Sequence, residues 1–251
     1  MRSMFFKLLA VVLVAVAALL SESQAAFIVP DSATAPFGDW TRGVTTNSVY
    51  AGFDFFTQAY LSTNSPDVGS WPVSPDPTPL GSDVTVTQNM AGAFLTGGGN
   101  IYSFSVATDF TVDIPGHSYG SGWNTRVVAQ VRTLGTEIAP GSIGLIYNDG
   151  VDDVEIGSTY TAELERISLG GFGGTQVDTM YVFDIPGFNA ESFSFGFTAS
   201  GSSLSLDRLA VDTFTTQSAL SPVPEPSTMA LLAIGLSGVA CRWWKRRNRV
   251  A

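Results

Sequence analysis

Ser118 stands at the centre of Gly116-His117-Ser118-Tyr119-Gly120, the G-x-S-x-G spacing that presents a serine hydroxyl as a nucleophile on a sharp strand-to-helix turn. That chemistry needs an imidazole base from elsewhere in the chain to take the serine proton. His117 is the one histidine in 251 residues, it adjoins the serine in sequence, and no helical pattern follows the motif. The stretch therefore reads as a turn, a serine hydrolase around GHSYG is the lesser alternative, and the body is read as non-enzymatic.

One histidine also excludes the usual His-rich zinc site, and the only cysteine, Cys241, lies near the carboxyl end, where it reads as a small apolar residue. Hard carboxylates gather in Asn148-Asp149-Gly150-Val151-Asp152-Asp153-Val154-Glu155, where Asp149, Asp152, Asp153 and Glu155 could hold calcium. The glutamate that an EF-hand needs at loop position twelve is missing. An Asn-Asp-Gly turn with solvated acids is the first reading, so the expected cofactor is none, with calcium as the alternative. A carboxylate pair for glycoside hydrolysis carries no weight, because this many acids make such a pair inevitable in any fold. Trp40, Trp71 and Trp123 lie near turn sequences. Packing is their first reading; Trp71 and Trp123 are the candidates for stacking on a sugar ring.

Strands must position whatever these residues do. Period-2 alternation dominates residues 26–223, and no 3.6-residue stripe competes with it. In Asn100–Ala107 the residues Tyr102, Phe104 and Val106 share one face, and Phe193, Phe195 and Phe197 do the same in Glu191–Ala199. Residues 126–133 alternate likewise. Further strands are expected within 48–56, 83–88, 109–114, 159–169, 179–185 and 204–214, separated by glycine-rich turns. About ten strands predict an all-β fold, an antiparallel β-sandwich of jelly-roll-like form. Residues 63–83 hold five prolines and read as a long surface loop.

The ends carry addresses. Arg2 and Lys7, an apolar run from Leu8 to Leu20 and a small polar stretch closing at Ala25 have the layout of a secretory signal peptide, 1–25, which implies the Sec machinery and signal peptidase as partners. The β-sandwich domain then covers 26–220 and a tail covers 221–251. Between Ala26 and Val223 five basic residues face twenty acidic ones, with no lysine, so the surface repels phosphate and a nucleic-acid partner is excluded.

In the tail, Pro222, Pro224 and Pro226 force an extended segment. The apolar stretch from Thr228 is 14 to 17 residues, about 21–26 Å as a helix against a hydrocarbon core of about 30 Å, so a single short transmembrane helix is expected. Arg242, Lys245, Arg246, Arg247 and Arg249 should hold its end in the cytoplasm, leaving the domain on the far side.

These three parts, with Pro224-Glu225-Pro226 at their head, resemble the PEP-CTERM sorting signal of exported bacterial proteins. The resemblance implies recognition by an exosortase-type membrane protease, processing near the motif, and delivery from the inner membrane to the cell surface or extracellular matrix. It also implies exopolysaccharide as a possible partner and a structural or adhesive body, with a glycan-binding module as the alternative.

Overall fold

Serine and phenylalanine alternate along Ser192–Thr198, and the chain there is a strand whose Phe193, Phe195 and Phe197 are buried while Ser194 and Gly196 are half-buried. The same side-chain alternation, read strand by strand, builds the rest of the body. The structure is a computed structural model that describes residues 40–41, 45, 47–70, 84–117, 119–170 and 173–222. The expected signal segment, Trp71, Ser118, the motif Pro224-Glu225-Pro226, the expected tail helix and the five cations after it lie outside the described residues. Ala25–Leu220 is one compact unit; the other, Met1–Gln24 with Ser221–Ala251, falls almost wholly outside the description.

Along the chain the strands are β1 (Ser48–Phe53), β2 (Thr63–Asn64), β3 (Val68–Ser70), β4 (Thr85–Gln88), β5 (Phe94–Leu95), β6 (Ile101–Tyr102), β7 (Asp109–Pro115) and β8 (Gly120–Ser121). They continue as β9 (Asn124–Gly135), β10 (Gly144–Asn148), β11 (Asp153–Ile156), β12 (Tyr160–Ser168), β13 (Thr175–Ile185), β14 (Phe188–Asn189), β15 (Ser192–Thr198) and β16 (Leu204–Thr216). Among the described residues there is no helix, and all strand pairing is antiparallel.

An eight-stranded sheet runs β12-β13-β9-β16-β1-β3, with β6 also on β16 and β5 on β6; a six-stranded sheet runs β11-β10-β15-β7-β4-β2. Three pairings nest: β1 with β16, β7 with β15, and β9 with β13. The inner faces meet in one core, where Ala129, Phe183, Leu206 and Val211 of the large sheet oppose Val86, Val112, Leu145 and Phe195 of the small one. Phe195 joins the two layers, its ring 5.7 Å from Phe183 and 5.5 Å from Phe197.

Three sequence expectations change. Asn100–Ala107 is no continuous strand: β6 stops at Tyr102 because the Ser103 hydroxyl accepts the backbone N–H of Val106 at 3.1 Å, bending the chain and leaving Phe104 70% exposed. Residues 63–83 are not wholly loop, since β2 pairs β4 and β3 pairs β1. Alternation in residues 126–133 does not separate a wet face from a dry one. Arg126, Val128 and Gln130, on the outer face of β9, are as buried as Val127 and Ala129 on the inner face. Trp40 is a packing residue on that outer side, stacked 5.2 Å from Phe214.

Candidate functional site

At the end of the sandwich where β7 finishes, the chain turns through Gly116 and His117 into β8, which pairs with β14. Gly116 donates its N–H to the Glu191 carbonyl at 2.7 Å, and a Cβ there would stand 2.0 Å from the Ala190 carbonyl oxygen, so only glycine fits. His117 is buried, and neither ring nitrogen has a hydrogen-bond partner among the described residues. Burial pushes its pKa below the ordinary imidazole value, which keeps the ring neutral at pH 7.

From that ring a ladder of aromatic faces runs outward. His117 stacks on Tyr119 at 5.6 Å and Tyr119 on Trp123 at 4.1 Å. The Tyr119 hydroxyl donates to Asn47 Oδ1 at 2.8 Å and its backbone N–H donates to Asn189 Oδ1 at 3.1 Å. Asn189 Nδ2 in turn donates to Thr125 Oγ1 and Thr215 Oγ1, so one buried amide ties β14 to β9 and β16. Trp123, proposed from sequence as a sugar contact, is half-buried with one face given to Tyr119.

Beside the ladder lies an open cleft of about 410 Å³ lined by Gly120, Asn148, Gly150 and the run Phe188–Ser192. The fold thus brings to one place the GHSYG turn and the acidic turn, which the sequence keeps apart. Two of the acids, Asp149 and Asp153, are occupied with the turn. Asn148 Oδ1 accepts the N–H of Gly150, Asp149 Oδ1 accepts those of Val151 and Asp152, and Asn148 Nδ2 donates to Asp153 Oδ1. Those backbone N–H groups, Asp152 first, hold the Asp149 carboxyl below the usual carboxylate range. Gly150 takes φ +96°, which the turn requires. Glu155 lies elsewhere, over Gly144 of β10. Among the described residues no three His, Cys, Asp or Glu side chains converge where they could hold a metal ion.

Electrostatics of the body are one-sided. Arg126 makes two parallel bonds to Asp184 at 2.7 and 2.9 Å, and Arg132 makes two to Asp178 at 2.7 and 2.6 Å. Arg166 bonds Glu137 and Glu163, and Arg208 pairs with Asp54 at 2.8 Å. Every described arginine is therefore committed to a carboxylate, and the remaining acids define the surface charge.

Tyr119 and Asn189 escaped the sequence reading. An aromatic residue four positions before Trp123 across a glycine-rich turn is the signal for the first; nothing local marks the second, whose partners lie on strands far along the chain.

This is an antiparallel all-β body followed directly by a proline-rich tail. Residues 222–247 match the PEP-CTERM protein-sorting motif, and the chain carries that motif. It marks proteins exported with a C-terminal membrane anchor that a membrane protease, an exosortase, processes for the cell surface. No curated protein matches the chain. Among solved structures, the enzymatically active domain of bacteriophage CBA120 tailspike protein 4 aligns at 13% identity over 68% of this chain, with a TM-score of 0.22. The aligned region spans 19% of that chain, and at this score the likeness supports no statement about fold or activity.

Proposed function

We propose that the chain is an exported cell-surface or extracellular-matrix protein whose jelly-roll-like β-sandwich has a structural or adhesive role. The PEP-CTERM motif at 222–247 is the observation that carries this reading. The nested pairings of β1 with β16, β7 with β15 and β9 with β13 support the jelly-roll description. A signal peptide at 1–25 starts export, the tail helix holds the chain in the inner membrane, and its cations stay inside while an exosortase-type protease acts near Pro224-Glu225-Pro226.

Intact-mass measurement of the exported protein tests this reading. A product lacking both ends supports it, and a chain found in the cytoplasm, or located identically after deletion of residues 222–251, refutes it. The body acts without catalysis in this proposal: the chain's one imidazole is buried against Tyr119, away from a general-base role. Fluorophosphonate labelling that disappears in Ser118→Ala would overturn that part. A second reading, a glycan-binding module, is favoured by the Tyr119–Trp123 stack beside an open cleft, and is tested by loss of polysaccharide affinity in Trp123→Ala.

A further inference from the structure

We propose that the outer face of the eight-stranded sheet carries a binding line for a neutral, linear polysaccharide, centred on Phe94, Tyr102 and Phe104. The proposal rests on the adhesive reading above and names the ligand class for it.

Register places the line. Phe94 pairs with Tyr102, Tyr102 with Ser205, Ser205 with Leu134, Leu134 with Gln176, and Gln176 with Ile167. Residues directly opposite one another share a face. Leu204 and Leu206 point into the core, so Ser205 and the whole row point outward; Ser205 is itself buried and Leu134 and Gln176 are half-buried, so a ligand meets the row chiefly at Phe94, Phe104 and Ile167. With strands about 4.8 Å apart, five steps make a row of about 24 Å, one residue wide, crossing six strands. A long, narrow ligand with a repeat near the strand spacing fits such a row, and a chain of pyranose rings has that shape.

The row has a floor suited to sugar C–H faces. Phe94, Ile167 and the neighbouring Phe104 are 39%, 44% and 70% exposed. The rings hold one another: Phe104 lies 4.6 Å from Tyr102 edge-on and 5.4 Å from Phe94 in a stack. Rings fixed in this way lose little freedom when a ligand arrives.

Polar groups that can meet hydroxyls flank the floor on the same face. Asn100 Nδ2 donates to Asp207 Oδ1 at 2.8 Å, and Gln176 Nε2 donates to the exposed Glu165 Oε2 at 3.2 Å. A carboxylate offers about four acceptor sites, more than these bonds use. The flank also selects charge. Arg132 and Arg208 already serve Asp178 and Asp54, so a uronate chain or anionic headgroup would meet acids first. A second copy docking by the same face would bring those acids against their counterparts, whereas an uncharged glycan meets no such repulsion.

Affinity electrophoresis of the full-length chain in detergent, with hydroxyethyl cellulose as the neutral polymer and alginate as the anionic one, tests the proposal. Retardation by the first and not the second is expected. The double variant Phe94→Ala/Phe104→Ala should weaken binding about tenfold, and Ile167→Lys, at the far end of the row, should weaken it too. Trp123→Ala separates this row from the Tyr119–Trp123 cleft: retardation kept in that variant places the polymer on the row. No retardation by the neutral polymer, full retardation in both row variants, or loss in Trp123→Ala alone would overturn the assignment. Concentration-dependent self-association that the double variant abolishes, without glycan retardation, would give the face to a second copy instead. Cell fractionation reads the adhesive setting separately, so an exported protein that ignores neutral glycan defeats only this inference.

Discussion

Truncating Phe195 to alanine tests whether one core joins the two sheets. The ring is fully buried, and it has Tyr181 at 6.3 Å and Phe183 at 5.7 Å on the opposite sheet, with Phe197 at 5.5 Å beside it. Neighbours on both layers are fixed by ladders of hydrogen bonds, so neither can collapse into the space without moving a sheet. The loss should therefore lie within the range for Phe→Ala, about 3–5 kcal/mol. For a domain near 200 residues each kcal/mol shifts Tm by about 2–4 °C, which places the variant about 6–20 °C below the wild type. Urea unfolding followed by tryptophan fluorescence measures the change, with Phe195→Leu expected to recover most of it. Phe104→Ala, truncating a ring that is mostly in water, should stay within about 0.5 kcal/mol. A Phe195→Ala loss below about 1 kcal/mol, or one no larger than that of Phe104→Ala, would refute the shared core.

His117 is the only histidine, so stability changes between pH 6.5 and 5 report on it. Its folded pKa is depressed by burial, so the unfolded chain binds the proton more readily, and stability should fall as pH drops below about 6.5. In His117→Phe that slope should vanish in urea midpoints taken at pH 8, 6 and 5; an unchanged slope would contradict the burial. Gly116→Ala should destabilise by about 1–3 kcal/mol, because its methyl meets the Ala190 carbonyl, and a neutral result in thermal melts would show that the β7–β8 turn is misread. Replacing Pro224 and Pro226 by alanine should leave the body's Tm unchanged and raise the mass of the exported product by the uncut tail; normal processing would detach sorting from those prolines.

How far the sequence discloses the fold depends on the residue. Phe193, Phe195 and Phe197 announce their strand and their face, because period 2 with serine and glycine between has no other use. Arg126 and Gln130 hide theirs. Both look like wet-face residues of a half-buried strand, yet both are buried, and Arg126 is satisfied by Asp184, 58 positions away. The same distance effect conceals the site. Gly120 and Gly150 each read correctly as turns, but their meeting at one cleft depends on the path of β9 and β10 between them. Ser103 misleads in the opposite sense: its alternation with Tyr102 and Phe104 suggests a strand, while its hydroxyl competes for the backbone and ends one.

The register of Ser48 on Phe214 sets an order of events as well as a shape. The first described strand waits for the last, which gives high contact order and slow folding, since a loop of nearly the whole domain must close before the two can pair. While the chain is being threaded outward as proposed, the sheet cannot be completed until β16 has emerged. Only a few residues then separate its end at Thr216 from the sorting motif at 222. Late closure of the sheet is thus a consequence of a single strand pairing.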